Sequence, residues 1–280
     1  MRIPVIPISA RHEGRNLHFA IVLAFACVSG RLSGQTPPPA APPRADTLAH
    51  RLTLDTARIQ PGQYLYQLNL ARDSANTPLG DQHFIVSALD YAGTPALLFA
   101  RNGIEGVALA SDSLVVRRDD LRPLHWIATH GVARVAAEFT PDSIFGAMTS
   151  PLGKQNVVLP NRGDILVNTM AVDAVIASLP LSATWRDSAS LLVIDRGGSA
   201  LTPATFAVEG EEHVTVPAGE FDCWIVSVEA ERASERLWVT KQGQVVVRSE
   251  QILPDLGATL VRTLAQSDNP ALLPTSARVP

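Results

Sequence analysis

Cysteine and lysine are nearly absent: the 280 residues contain two cysteines, Cys27 and Cys223, and two lysines, Lys154 and Lys241, and 5% of residues are aromatic. Two cysteines rule out a disulfide scaffold and a four-cysteine zinc site. Positive charge is not in surplus either, since Lys+Arg 23 against Asp+Glu 27 leaves −4. Nothing is therefore available to displace counterions from phosphates, which argues against a nucleic-acid partner. Also missing are a Gly-x-Ser-x-Gly elbow, a glycine-rich phosphate loop, a dinucleotide fingerprint, His-Glu-x-x-His and paired Cys-x-x-Cys. Residues dispersed along the chain can catalyse without such motifs. The reading here is nevertheless non-enzymatic, with no catalytic residue, metal ligand or cofactor assigned.

The one strongly apolar run near the start, Phe19 to Val28, is too short to span a bilayer. It follows Arg2, Arg11 and Arg15, which is the order of a secretory signal peptide, so residues 1–34 are expected to be a signal cut after Gly30 or near Gly34. Leu23-Ala24-Phe25-Ala26-Cys27 looks like a degraded lipoprotein signal, and Cys27 has two readings: a lipidated anchor, or a thiol that leaves with the signal. Either way Cys223 has no partner in the mature chain, and no disulfide is expected even in an oxidising compartment.

Residues 35–46 read QTPPPAAPPRAD, a composition that favours an extended polyproline spacer. Loss of residues 1–34 removes four arginines and one glutamate, taking the charge from −4 by three further units to −7. Such acidity favours solubility over adsorption to anionic surfaces. The expected organisation is a signal at 1–34, a linker at 35–46, one β domain at 47–268 and a flexible tail at 269–280. The expected location is the periplasm or cell envelope, lipid-anchored if Cys27 is acylated, with no transmembrane span once the signal is gone.

From about residue 50 the chain alternates β-prone runs with Gly, Pro, Asn and Asp roughly every ten residues, an all-β pattern with no βαβ alternation. Examples are Gln63–Ala71, Gln82–Asp90, Ala96–Arg101, Pro123–Thr129, Val132–Phe139 and Gln155–Leu159. Val167–Leu179 departs from it, with helical spacing of apolar residues ended by Pro180. Five consecutive strands follow: Glu209–Val216, Phe221–Ala230, Glu235–Lys241, Gln244–Gln251 and Ala258–Ala265. Their short links force antiparallel neighbours. Pairing Ala230 with Glu235 would place Trp224, Val226, Val228, Leu237 and Val239 on one face. Phe221, Cys223, Ile225 and Trp238 fall on the other, joined by Val245 and Val247 if Gln242-Gly243 is a two-residue turn. Both faces are apolar, so the sheet must be covered twice, by a helix, by its own curl or by a ligand.

The polar candidates are sparse. His125 and His130 sit five apart on one strand, on opposite faces, and cannot share a metal. His213 shares a face with Glu209 and Glu211 but not Glu212, too few ligands for a dedicated zinc site. Cys223 lies mid-strand without a basic neighbour and reads as an inert thiol. Trp126, Trp185, Trp224 and Trp238 read as core before they read as a sugar or lipid platform.

Val214-Thr215-Val216-Pro217-Ala218-Gly219-Glu220-Phe221, then Leu237-Trp238-Val239 and Val245-Val246-Val247-Arg248, form a pattern. It resembles an exported bacterial family of periplasmic β-domains of unknown function. In that family the sheet curls as in lipoprotein-carrier half-barrels, with a helix against the concave side. The resemblance implies an all-β, mainly antiparallel curled sheet or half-barrel with one short helix packed against it, and it brings no catalytic residues. Two functions are then expected. One is an apolar ligand, such as an acyl chain, held by Ile225, Trp238, Val245 and Val247. The other is a structural or protein-interaction domain of the envelope with a filled core. A hydrolase would need a polar cleft with convergent acid, base or nucleophile.

Overall fold

The computed structural model describes residues 52–105, 108–161, 165–195, 198–230, 233–270 and 272. The expected signal, the proline-rich linker, Cys27 and most of the expected tail lie outside the described residues.

Among these residues one sheet holds fifteen strands. The first eight are β1 (Gly62–Arg72), β2 (Ala75–Tyr91), β3 (Thr94–Glu105), β4 (Ala108–Arg117), β5 (Pro123–His130), β6 (Ala133–Phe139), β7 (Ser143–Ser150) and β8 (Gly153–Pro160). The other seven are β9 (Ile165–Val167), β10 (Arg186–Asp195), β11 (Gly198–Val216), β12 (Gly219–Ala230), β13 (Ala233–Thr240), β14 (Val246–Leu253) and β15 (Ala258–Ser267). One helix, α1 (Asn168–Ile176), lies between β9 and β10. Apart from β8 and β9, each strand neighbours the next in sequence, and where the links are a few residues long they permit little else. The two meanders are joined where β1 pairs with β15, Tyr66 opposite Leu264 and Leu68 opposite Arg262. The sheet ends, β8 and β9, are not ladder neighbours, yet β8 comes up against β11 and β9 against β5. The sheet thus curls round on itself without closing, and the all-β curled architecture with one short helix is the observed fold.

The concave side is set by period-two alternation. Tyr64, Tyr66 and Leu68 of β1, Phe84 and Val86 of β2, Phe99 of β3, Leu114 of β4, Trp126 of β5 and Ala137 of β6 are buried. Tyr64, Phe84 and Phe99 form a row of rings with centroids 5.8 and 6.2 Å apart. Inside the curl lies α1, shorter than a self-sufficient helix, since nine residues do not hold helical structure alone in water. Val172, Asp173, Ala174, Val175 and Ile176 are all buried, so this part of the helix is enclosed on every side instead of resting one stripe on a sheet. It is shorter than the Val167–Leu179 span read from the sequence, because Ala177–Leu179 leave the helix as a turn before Pro180. The turn's carbonyls are satisfied: the Asp55 N–H donates to Ser178 and Gln244 Nε2 to Leu179.

Four details differ from the sequence reading. The β12–β13 register is shifted by two, with Ala230 opposite Ala233 and Ile225 opposite Trp238. An even shift preserves both faces and shortens the link to two residues. The β13–β14 loop is Lys241–Gln244 plus a bulge, not a Gln242-Gly243 turn: the Thr240 N–H donates to the Val245 carbonyl, the Val245 N–H donates to Thr240 Oγ1, and Val239 pairs with Val246 while Trp238 pairs with Arg248. Among the described residues a single parallel pair exists, β9 with β10, bridged by α1, and a three-residue strand is too short to show a period. Finally, β11 begins at Gly198 and runs far beyond the expected Glu209–Val216, bending at a bulge between Val208 and Gly210. Beyond that bulge the hairpin tip passes β13 and β14 and returns to β15, where the Ala218 N–H donates to Leu264.

Gly146 of β7 has no room for a side chain against β6. A Cβ there would stand 2.0 Å from the Ala136 carbonyl oxygen and 2.8 Å from Ala137 Cα. Since these are backbone atoms, Gly146→Ala must push the strands apart, and a loss of about 1–3 kcal/mol is expected as a lowered urea midpoint. An unchanged midpoint would show that β7 relaxes freely.

Candidate functional site

Charged groups on the concave face are few and cluster around α1. Asp173, in the middle of the apolar stretch Val172–Ile176, receives both terminal nitrogens of Arg262 from β15, at 2.6 and 2.8 Å. The pair is buried, at 8% and 6% side-chain exposure. Arg262 stands over the Tyr66 ring at 4.7 Å and its Nε donates to Ser249 Oγ at 3.3 Å. Ser249 in turn hydrogen-bonds Glu235, which is also buried. Burial pushes the Glu235 carboxyl above its ordinary range, Arg262 opposes this, and Asp173 adds to it. For Arg262 burial works against the charge, but the Asp173 carboxylate outweighs it and holds the guanidinium protonated. Burial likewise pushes the Tyr66 phenol up, and its hydroxyl donates to the Val246 carbonyl at 2.9 Å.

A second cluster lies on β3 to β5. Arg101 donates to Asp112, and His130 Nε2 lies 3.2 Å from the other Asp112 oxygen. Burial alone would raise the Asp112 carboxyl; the hydrogen bond from His130 and the Arg101 charge reverse this and bring it below the usual value.

Between α1 and the floor of the sheet is a cavity of about 30 Å³. Tyr64, Tyr66, Phe84, Phe99 and Val245 give it apolar walls, and Asp173 and Gln244 stand at its margin. Ligand pockets for drug-sized molecules run to about 300–1,000 Å³. As it stands the cavity has room for water alone, a volume near the share of one water in the liquid.

The four residues read as ligand-lining do not share a pocket. Val245 lines this cavity. Ile225 and Trp238 are direct cross-strand partners on the other face. There the Trp238 indole N–H donates to Glu212 Oε2 at 2.7 Å and Arg248 stacks on the ring at 4.6 Å. Val247 is the extra residue of the β14 bulge and is fully buried. Trp238→Phe keeps the ring packing and removes the donor, so about 1–2 kcal/mol should be lost in urea unfolding; no loss would mean the bond to Glu212 is replaced by water.

The histidines divide as the alternation implies. His125 lies 2.6 Å from Glu138 on one face, and His130 meets Asp112 on the other. His213 meets Asp222 across the hairpin at 2.9 Å, and this bond raises its pKa. Burial pushes the Cys223 thiol up to about 12, so it is not a thiolate at neutral pH. Sequence reasoning missed Asp173, Glu235, Arg262, Arg101 and Asp112. The signal was there: Asp173 interrupts an apolar helix, and Arg262 occupies the same strand parity as buried Leu264.

Three solved structures are similar in fold. One is a beta-barrel-like protein of domain of unknown function DUF1849 from Brucella abortus, 9% identical, TM-score 0.48, covering 74% of this chain and 97% of that one. The hypothetical lipoprotein YmcC from Escherichia coli K12 is 14% identical, TM-score 0.29, covering 74% and 85%. A DUF1329 family protein from Desulfovibrio piger is 11% identical, TM-score 0.25, with the same coverage. No curated protein matches the sequence. A family model described as Protein of unknown function (DUF3108) matches residues 89–263, more than half of the chain, and the chain belongs to that family.

Proposed function

We propose that this chain is an exported, non-enzymatic domain of the bacterial cell envelope that acts as a structural or protein-interaction module, its core filled by its own helix. The observation that carries this reading is the enclosure of α1 within the curled sheet, with a residual cavity of about 30 Å³. Export rests on the charged, apolar and small-residue order of residues 1–34. Supporting a partner contact is an exposed apolar surface on β7 and β8, where Phe145 and Val158 oppose each other and are 47% and 76% exposed. They border an open depression with Ala136, Ala147 and Lys154, beside the terminal strand of the sheet.

The apolar-ligand reading keeps one observation in its favour, the apolar walls of the cavity against α1. Native mass spectrometry of the protein from its own envelope separates the two. A bare folded mass with an N-terminus beyond residue 30 is expected. An extra mass lost on denaturation would overturn the filled core, and retention of residues 1–30 would overturn export.

A further inference from the structure

Arg262 is an unusual choice for the floor of an apolar interior. A buried ion pair contributes little net stability, because desolvating two charges offsets their attraction, and apolar side chains of similar volume fill such a site as well or better. Yet the guanidinium is fully prepared to hold a carboxylate. Its two terminal nitrogens aim at one carboxylate in a fork, the Tyr66 ring supports its face, and Ser249 fixes Nε. Beside it Ser249 meets Glu235, a second buried carboxyl.

The carboxylate in this fork comes from α1, the element least able to hold itself. Nine residues long, α1 follows the three-residue terminal strand β9, at the seam where the sheet lacks ladder bonds between its ends. Asp173 and Tyr66 both touch Arg262 and both line the apolar cavity, so they stand between the guanidinium and the cavity, and departure of the Asp173 carboxylate would join the two. From there the walls run through Phe84, Phe99 and Val245.

We propose that Arg262 is the receptor of a binding site for an apolar molecule with a carboxylate head, and that Asp173 of α1 occupies this receptor until such a ligand displaces it. The ligand's carboxylate takes both Arg262 nitrogens, and its chain takes the space of Ala174 and Ala177 against the aromatic floor. Charge is conserved in the exchange, one carboxylate for another, with Asp173 moving to water. The inference goes beyond the filled-core reading: a bare protein is the latched state, and binding is an exchange that added ligand drives.

Decanoate and decanol, equal in chain length and differing in head, test it on the full chain. Asp173→Asn removes the competing charge from the fork and leaves only a neutral acceptor, so decanoate should bind this variant at least tenfold tighter than wild type, with decanol gaining nothing. The added substitution Arg262→Met should abolish the gain. Equal affinity of wild type and Asp173→Asn for decanoate, or an equal gain with decanol, would overturn the proposal. Should Asp173→Asn fail to fold, wild type carries the test. Saturating decanoate should speed hydrogen exchange at Val172–Ile176, and decanol should not; unaltered exchange with excess decanoate would overturn it. Failure here leaves a bare native mass unchanged, whereas an endogenous ligand without a carboxylate would contradict both readings.

Discussion

Arg262→Met is expected to lower stability by about 3–5 kcal/mol, read as a lower urea midpoint with an unchanged slope. The cause is what remains: Asp173 would keep its buried position without the two nitrogens that now balance it. Its carboxyl must then take up a proton or drag α1 towards water. The double variant Asp173→Leu with Arg262→Met should regain most of the loss, because two apolar side chains leave no charge to desolvate. A single variant that costs less than about 1 kcal/mol would show water already reaching the pair, and a double variant no better than the single would point to lost packing in place of lost charge balance.

The pH dependence should run in two opposite directions. Glu235 has a raised carboxyl pKa, chiefly from burial, so the folded chain holds a proton that the unfolded chain has released. Stability therefore falls as pH rises from the ordinary carboxylate value towards the raised one, by about 1.4 kcal/mol for each unit between them, and is flat above. Asp112 is the reverse: despite burial, His130 and Arg101 bring it below its usual value, so its contribution is present at neutral pH and lost as pH falls through the lowered value. Wild type should be most stable in the mildly acid range. Glu235→Gln should remove the decline on the alkaline side and leave the acid side alone; Asp112→Asn should weaken the acid limb. Parallel profiles for wild type and Glu235→Gln would contradict the assignment.

Much of the fold was legible because it is built from local links. Alternation and short turns identified β1, β5, β6 and the C-terminal strands, and Pro180 marked the end of the helical segment. The β12–β13 faces were right even with the register two residues off, since an even shift returns every side chain to its own face. What escaped was non-local. Three-residue β9 has too few positions for a period, and the bulge after Val208 that bends the long hairpin depends on what the tip meets at β15. The site was less legible than the fold for the same reason. Asp173 and Arg262 are 89 positions apart, and nothing along the chain joins them. Ile225 and Trp238 do form one row, but Val245 belongs to the loop before β14 and lines the cavity instead, and Val247 is the extra residue of the β14 bulge.

The central claim is that α1 is enclosed by the curled sheet and latched there by Asp173 and Arg262. Native-state hydrogen exchange at Val172–Ile176 tests it most directly. The account predicts that in wild type those amides exchange as slowly as those of Leu114 and Phe206 in the inner strands, and that Arg262→Met speeds them well beyond the strands. Helix amides that exchange in wild type at the rate of an exposed segment would contradict it.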